Sequence, residues 1–313
     1  MDGPMSEHVP TLSASAVETD AFARAIATAY ERFGFVVIAD HGIDQPLIDD
    51  CLAAYREFFA LPPDVKRRYH VPGGGGARGY TPFGIETAKG ASHHDLKEFW
   101  HVGRELPPGH RYAASMPANL WVTEVARFRE RTLALSEAFD ALGRRLLGAI
   151  ACALALPRDY FEDKVNEGNS VLRVLHYPPV EDASGSVRAG EHEDINVITL
   201  LLGAEEPGLE IRTREGHWLP VNPLPGSVVC NVGDMLQRLT NGVLRSTTHR
   251  VVNPEPGRAG HARYSMPYFL HFNPDFEIRT LPSCISAEVP DRYPEPITAD
   301  AYLLQRLKEI KLL

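Results

Sequence analysis

Residues 188–202 read RAGEHEDINVITLLL, and the interpretation of the whole chain turns on them. A glycine leads into His192 and Asp194, two metal-capable side chains two residues apart, and a β-branched, leucine-rich run follows at once. In extended backbone, residues i and i+2 point to the same face, so an imidazole and a carboxylate can converge on one ion. The apolar run behind them predicts a buried strand that holds the pair still. A second HxD pattern, His93-His94-Asp95, lies in a polar segment with no glycine lead-in and no apolar strand behind it, and is expected to be a loop.

The bulk properties narrow the setting of such a site. A chain of 313 residues with 44% hydrophobic and 23% charged residues is ordinary for a globular protein with a substantial core. A formal net charge of −9 gives no electrostatic reason to bind nucleic acid or an anionic membrane. Cys51, Cys152, Cys230 and Cys284 are scattered without a CxxC pair, which argues against a zinc ribbon or disulfide scaffold and fits a reducing compartment. The N-terminal residues lack a secretory pattern and no apolar run is long enough to span a bilayer, so the expectation is a cytoplasmic protein.

Outward from the opening stretch, the order of elements predicts a mixed N-terminal region followed by a β-rich one. Residues 17–33 place Phe22, Ile26, Ala29, Tyr30 and Phe33 at helical intervals, with Gly34 as the stop. FVVIAD (35–40) predicts a strand, and a second helix runs from Pro46 to about Leu61. VPGGGGARGYTPFG (71–84) has neither a GK[ST] sequel nor a strand-to-helix context, so it is no phosphate loop. It is expected to be a mobile lid carrying Arg78, Tyr80 and Phe83, and the stretch ending in Phe99 and Trp100 is extended. The longest helix is predicted over 121–156, capped by Asn119 and stopped by Pro157. From residue 169 onward short apolar runs alternate with turn residues: SVLRVLHY, VITLLL, GLEIRT, HWLPV, SVVCNV, LRSTTHRVV and RYSMPYFLHF. Strands at that density predict a sandwich or jelly roll. A terminal helix is expected from Thr298.

The missing ligand is found in the late strand LRSTTHRVV, as His249. Two neutral imidazoles and one carboxylate on a rigid β-scaffold form the facial triad of non-haem Fe(II) oxygenases, with positions left open for an anionic cosubstrate and O2. Downstream, Arg263 and Ser265 stand two apart and share one face; a guanidinium fork with a hydroxyl beside it suits a carboxylate. If their strand packs beside the one carrying His249, that clamp sits close to the metal.

With these residues in hand, the chain resembles the iron(II)- and 2-oxoglutarate-dependent dioxygenase superfamily, in the isopenicillin N synthase-like branch. HED, TTHRV and RYS match its HxD…H…RxS pattern in order; LHYPP and ERFGFVVIADHGI resemble two further signatures, and the likeness runs from about Val9 to Phe272. The resemblance implies a mostly β fold: a double-stranded β-helix (jelly roll, cupin-like) core with flanking helices. It implies the cofactors Fe(II), 2-oxoglutarate and O2, and oxidation, as hydroxylation or desaturation, of a small organic molecule with release of succinate and CO2. Under it, residues 1–118 are an N-terminal dioxygenase region, 119–168 scaffold helices, 169–275 the jelly-roll core and 276–313 a C-terminal extension. The stretch between His249 and Arg263 is longer than is common in the family and is expected to form a lengthened hairpin loop.

Carried over by position, Tyr177 in LHYPP matches a tyrosine that contacts 2-oxoglutarate. Period-2 counting puts Arg173, Leu175 and Tyr177 on one face, expected to look into the barrel, where Arg173 is a candidate for gripping an acidic substrate as well as for a structural ion pair. Tyr80, Phe99 and Phe269 are further candidates for the substrate pocket, with core packing as the alternative for each. Phe269 and His271 share the Arg263 face if no bulge forms at Pro267; His271 is expected to be a satisfied interior histidine. Four rival readings remain: an oxidase that dispenses with 2-oxoglutarate, an ethylene-forming fragmentation of 2-oxoglutarate, a zinc or manganese jelly-roll protein, and a catalytically silent ligand-binding module. The substrate and the oligomeric state are not legible.

Overall fold

A computed structural model describes residues 8–74, 76–85, 97–179, 189–202, 208–252 and 262–309. The second HxD pattern and nearly all of the predicted hairpin loop before Arg263 fall outside the described residues. In chain order the elements are β1 (Thr11–Ser13), α1 (Asp20–Arg32), β2 (Phe35–Ala39), α2 (Gln45–Phe59), α3 (Pro63–Arg67), β3 (Gly79–Thr81) and β4 (Glu98–Gly103). Next come α4 (Phe128–Ala153), α5 (Glu162–Val165), β5 (Val171–Tyr177), β6 (Ala189–His192), β7 (Ile198–Leu202), β8 (Leu209–Arg212) and β9 (Trp218–Pro220). The chain closes with β10 (Val228–Val232), α6 (Asp234–Leu239), β11 (His249–Val251), β12 (Arg263–Leu270), β13 (Glu277–Ile278), β14 (Ile297–Thr298) and α7 (Ala299–Glu309).

From β5 to β12 the chain passes back and forth between two sheets in jelly-roll fashion, with β8 and β9 a hairpin in one of them, and β13 and β14 pair separately. The larger has the order β1-β2-β10-β7-β12-β5-β4-β3 and the smaller β6-β11-β8-β9. The four strands that precede α4 extend both edges of the larger sheet, so the sheet is continuous across the N-terminal region and the jelly-roll core. Their side chains alternate as a sheet covered on both faces requires. One face of β7 and β12 sends Leu200, Leu202, Met266, Tyr268 and Leu270 into the main core with Leu135, Phe139, Leu142 and Leu146 of α4. The other face turns inward, where Phe35, Val37 and Val229 of the larger sheet meet Leu209 and Ile211 of the smaller one.

Helix α4 is the scaffold behind the larger sheet. Its approach is close at Gly143, where a Cβ would lie 2.5 Å from Leu270 Cδ1. The helix is shorter than the 121–156 expected. Arg127 takes a left-handed φ of 55° just before it, and Ala155 a φ of 56° just after it. Asn119 is therefore not a helix cap: its side chain bonds both backbone groups of Gly103, accepting from N–H at 2.8 Å and donating to C=O at 2.9 Å. An asparagine amide mimics the peptide partner that the end of β4 lacks there.

Candidate active site

The turn between β6 and β7 and the start of β11 build the centre of the site. His192 ends β6 and His249 begins β11, and the two are direct cross-strand partners in an antiparallel pair. Their ring centroids are 4.3 Å apart. Asp194 follows β6 by two residues, and its Oδ1 lies 3.9 Å from His192 Nε2 and 3.8 Å from His249 Nε2. Potential ligand atoms of the three residues all lie within 4.8 Å of one another.

The surroundings assign each atom a task. Asp194 Oδ2 accepts from Thr199 Oγ1 at 2.5 Å and Asn231 Nδ2 at 2.7 Å, leaving Oδ1 to face the imidazoles. Thr199 and Asn231 are themselves cross-strand partners on β7 and β10, so one rung of the sheet holds the carboxylate. His192 Nδ1 lies 2.8 Å from Gly190 O and His249 Nδ1 3.0 Å from Thr247 O. A carbonyl only accepts, so each Nδ1 carries the proton and each Nε2 presents its lone pair toward Asp194. Glu193, between the two candidate ligands, accepts from Thr248 Oγ1 at 2.5 Å and ties the turn to the residue before His249. Phe35 packs edge-on against the His249 ring, with centroids 5.2 Å apart.

Electrostatics favour the same protonation states. Burial alone would raise the Asp194 carboxyl, but His249, His192, Thr199 and Asn231 outweigh it and hold the group below the ordinary carboxylate value. Desolvation and the neighbouring His249 pull His192 down, keeping it neutral. The His192 side chain is 45% exposed against 6% for Asp194 and 9% for His249, so the cluster opens on the His192 side. A donor set of one carboxylate and two neutral imidazoles, with its other polar atoms already bonded, fits a divalent iron ion.

The remaining sequence candidates divide into those on the same face of the larger sheet as Thr199 and one on the opposite face. Arg263 and Ser265 are 5% and 6% exposed and stand opposite Tyr177 and Leu175 on β5. The Arg263 guanidinium carbon is 5.5 Å from the centre of the Tyr177 ring. Their strand is not beside the one carrying His249: β12 lies between β5 and β7 in the larger sheet, whereas β11 belongs to the smaller. The clamp and the third histidine thus belong to opposite sheets. Register along β12 is unbroken from Arg263 to Leu270, so Pro267 causes no bulge and Phe269 stays on the inward face.

Arg173 sits with its guanidinium carbon 4.4 Å from the Phe99 ring centre and 5.5 Å from that of Phe269. Its Nε donates to His101 Nε2 at 2.5 Å, and His101 Nδ1 bonds Gly76 O at 2.6 Å. Phe99, Leu175 and Tyr177 form a separate buried cluster on this inner face. Tyr80, by contrast, points to the outer face, where its hydroxyl bonds Glu98 and its ring packs with Phe58 in the main core. Alternation on β3 gives two faces, and the sequence does not say which one is inward. Arg78, expected on a mobile lid, is 5% exposed and bonded to Pro117 O, Ala77 O and Asn169 Oδ1. Sequence reasoning misses Thr199, Asn231 and His101, whose roles arise from strand pairing and carry no motif.

Comparison with known proteins agrees with this geometry. Residues 9–124 match the family model described as non-haem dioxygenase in morphine synthesis N-terminal, and residues 168–272 that of the 2OG-Fe(II) oxygenase superfamily. The crystal structure of a 2OG-Fe(II) oxygenase family protein from Caulobacter crescentus is 54% identical, with a TM-score of 0.92, covering 98% of this chain and 100% of that one. A full-length Neurospora crassa protein, crystallised in complex with alpha-KG and thymine, is 30% identical, with a TM-score of 0.86, covering 96% of each chain. A proline hydroxylase of Petromyces alliaceus is 35% identical over 303 residues, 92% of this chain and 93% of that protein.

Proposed function

Because this chain belongs to the 2OG-Fe(II) oxygenase superfamily and is a 2-oxoglutarate-dependent dioxygenase using Fe(II) and O2, we propose the residue roles by which it works. His192 Nε2, Asp194 Oδ1 and His249 Nε2 hold the iron. The observation that carries this assignment is the convergence of those three atoms while the other polar atoms of each ligand are bonded elsewhere.

Arg263 and Ser265 hold the distal carboxylate of 2-oxoglutarate, with the Tyr177 hydroxyl as a further contact. Bound iron and 2-oxoglutarate supply the activation of O2 and the oxidation of a substrate C–H bond, 2-oxoglutarate leaving as succinate and CO2. The protein's part is to orient and to exclude water. Thr199 and Asn231 keep the Asp194 carboxylate turned and ionised, and the backbone carbonyls of Gly190 and Thr247 keep both imidazoles in the ligating tautomer. Phe99 and Phe269 wall the substrate space, and Arg173, held between them, meets the substrate there. Tyr80 has no part in it. A small organic molecule fits this reading, as thymine does in the complex of the Neurospora crassa protein.

The order of the HED, TTHRV and RYS motifs supports the isopenicillin N synthase-like branch. Cysteines that are all free, with Cys51, Cys230 and Cys284 buried, support a reducing, cytoplasmic setting. Among the described residues no helix is long and apolar enough to cross a membrane.

The test is anaerobic addition of Fe(II) and 2-oxoglutarate to metal-free protein, followed by O2. A visible charge-transfer band and slow succinate release are expected without any substrate. Absence of both band and succinate would refute the assignment, and so would succinate release that persists unchanged in His192→Ala or Arg263→Ala protein.

A further inference from the structure

We propose that His271, with Arg78 beside it, forms a second polar subsite of the substrate space that takes the carboxylate of a small organic acid. This rests on the reading above that substrate lies against Phe99, Arg173 and Phe269.

The unbroken register of β12 carries the inward face from Arg263 through Ser265 to Phe269, and His271 follows the strand's last residue, Leu270. At this end of the strand Phe269 pairs with Thr199, whose hydroxyl holds Asp194, and Leu270 pairs with Ile198. His271 therefore stands one step beyond the rung that anchors the candidate metal ligand. It is 7% exposed, and its backbone is pinned: its N–H donates to Ser170 Oγ at 3.1 Å. A Cβ on Gly168 would lie 2.0 Å from its carbonyl oxygen. Among the described residues no hydrogen bond reaches the ring, contrary to the satisfied interior histidine expected from sequence. A buried imidazole without a bonding partner is the kind of group a ligand completes.

Asn169, between the two residues that grip the His271 backbone, accepts a hydrogen bond from Arg78 Nη2 at 3.1 Å. The other bonds of Arg78 run from Nε to Pro117 O at 3.1 Å and from Nη1 to Ala77 O at 2.7 Å, so all these partners are neutral. Its guanidinium rests against the bare Cα of Gly103, where a Cβ would lie 2.0 Å from Nη2 and 2.1 Å from Cζ. No acid stands at an inward position of β4, β5 or β12, and the carboxylate whose charge reaches the ring is Asp194. Desolvation first, and the Arg78 charge second, outweigh the Asp194 carboxylate and push the His271 imidazole down to about 4, so it is neutral near pH 7. A neutral imidazole offers one N–H and one lone pair. The adjacent cation favours the lone pair on its own side, which leaves the N–H for a ligand. A donor in a positive field selects an acceptor that carries negative charge.

The test is NMR of full-length protein loaded with Zn(II) and 2-oxoglutarate and labelled with 15N in its histidine rings. The His271 signals are identified by their loss in His271→Gln protein. The probes are acetate, acetamide and methylammonium. The signals of a neutral ring at pH 7 are expected, with a saturable shift on acetate and none on the other two. In Gly103→Ala protein, where the added methyl displaces Arg78, acetate affinity is expected to fall about tenfold or more, as for loss of a charged hydrogen-bond environment. A ring that ignores acetate, or answers acetamide equally, overturns the proposal, and an unchanged acetate affinity in Gly103→Ala removes Arg78 from it. Should that variant misfold, the wild-type titration still decides. A missing acetate response with intact succinate release sinks the subsite alone; absent succinate release sinks the reading beneath it.

Discussion

Replacing Thr199 by valine keeps the β-branch and removes one hydroxyl, the one that donates to Asp194 Oδ2 at 2.5 Å. The lost interaction is a hydrogen bond to a buried carboxylate, a class that contributes about 1.5–3 kcal/mol. Asn196, which donates to Thr199 Oγ1 at 2.9 Å, also donates to Ile198 O at 3.1 Å, so the substitution strands no second donor. Unfolding entropy of about 2.1 cal/mol/K per residue over a chain of this length turns that loss into a fall in Tm of roughly 2–5 °C for the metal-free protein. The larger effect is on the metal. With Asn231 alone holding Oδ2, the carboxylate can rotate away from the two imidazoles, and outer contacts of this kind typically govern metal affinity by about 10–100-fold. The assay is calorimetry with and without excess Mn(II), a redox-stable probe of the same donor set. Stabilisation by the ion is expected to shrink by about 1.4–2.7 kcal/mol, the equivalent of that affinity loss. If Tm falls while stabilisation by Mn(II) is unchanged, Thr199 serves only the sheet and the reasoning about Asp194 is wrong.

Arg263→Ala is expected to raise the KM for 2-oxoglutarate about 10–100-fold, the value of a charged hydrogen bond, with partial recovery in Arg263→Lys; an unchanged KM places the clamp elsewhere. Gly34 has a φ of +70°, and a Cβ there would lie 2.3 Å from Thr247 Oγ1 and 2.5 Å from Arg245 O. Because Thr247 O holds His249, Gly34→Ala is expected to lower both Tm and Mn(II) affinity, checked in the same calorimeter. Buried Glu98 accepts from Lys66 at 2.8 Å, from His176 at 2.8 Å and from Tyr80. Burial opposes its ionisation, but bonds from His176, Lys66 and Tyr80 outweigh it and depress the carboxyl. Its stabilising contribution is therefore complete above the ordinary value of about 4.5 and is lost as the pH falls through the depressed one. Glu98→Gln is expected to cost about 3–5 kcal/mol at pH 7 by leaving Lys66 without its counter-charge, and to flatten the acid limb of urea melts between pH 3 and 7.

The parts of the site legible in the sequence are those set by local periodicity. His192 and Asp194 share a turn, Arg263 and Ser265 share one face of a strand, and Arg173, Leu175 and Tyr177 share another; backbone alternation alone puts each set together. The third histidine is legible because motif order carries it. What stays hidden is whatever depends on which strand lies beside which. Asn231 meets Thr199 only because β10 pairs with β7 in one register, and His101 meets Arg173 only because β4 pairs with β5. Tyr80 turns to the face opposite the one expected for the same reason, since period two has no sign until a neighbouring strand supplies it. The start of α4 lies later than expected because residues 121–127 are apolar at helical spacing, while the left-handed Arg127 shows up in no periodicity.

The space between the two sheets differs in character from one side to the other. At one side Phe33, Phe35, Val37, Leu209, Ile211, Val221 and Val229 form a buried apolar cluster. Phe35, a member of that cluster, lies edge-on against His249, so the candidate ligands sit at its boundary. The proposed substrate space lies on the side of β4, β5 and β12, where the inward positions are Phe99, His101, Arg173, Tyr177, Arg263, Ser265 and Phe269. Strand β4 comes from the N-terminal region and is joined to β5 through its whole length. On the proposed reading the jelly-roll strands carry the iron ligands and the 2-oxoglutarate clamp, while the wall that meets substrate is completed by a strand from outside them. Substitutions on β4 should thus change which molecule is oxidised while leaving the binding of 2-oxoglutarate intact. A His101→Phe protein that loses 2-oxoglutarate affinity as severely as Arg263→Ala does would contradict that division.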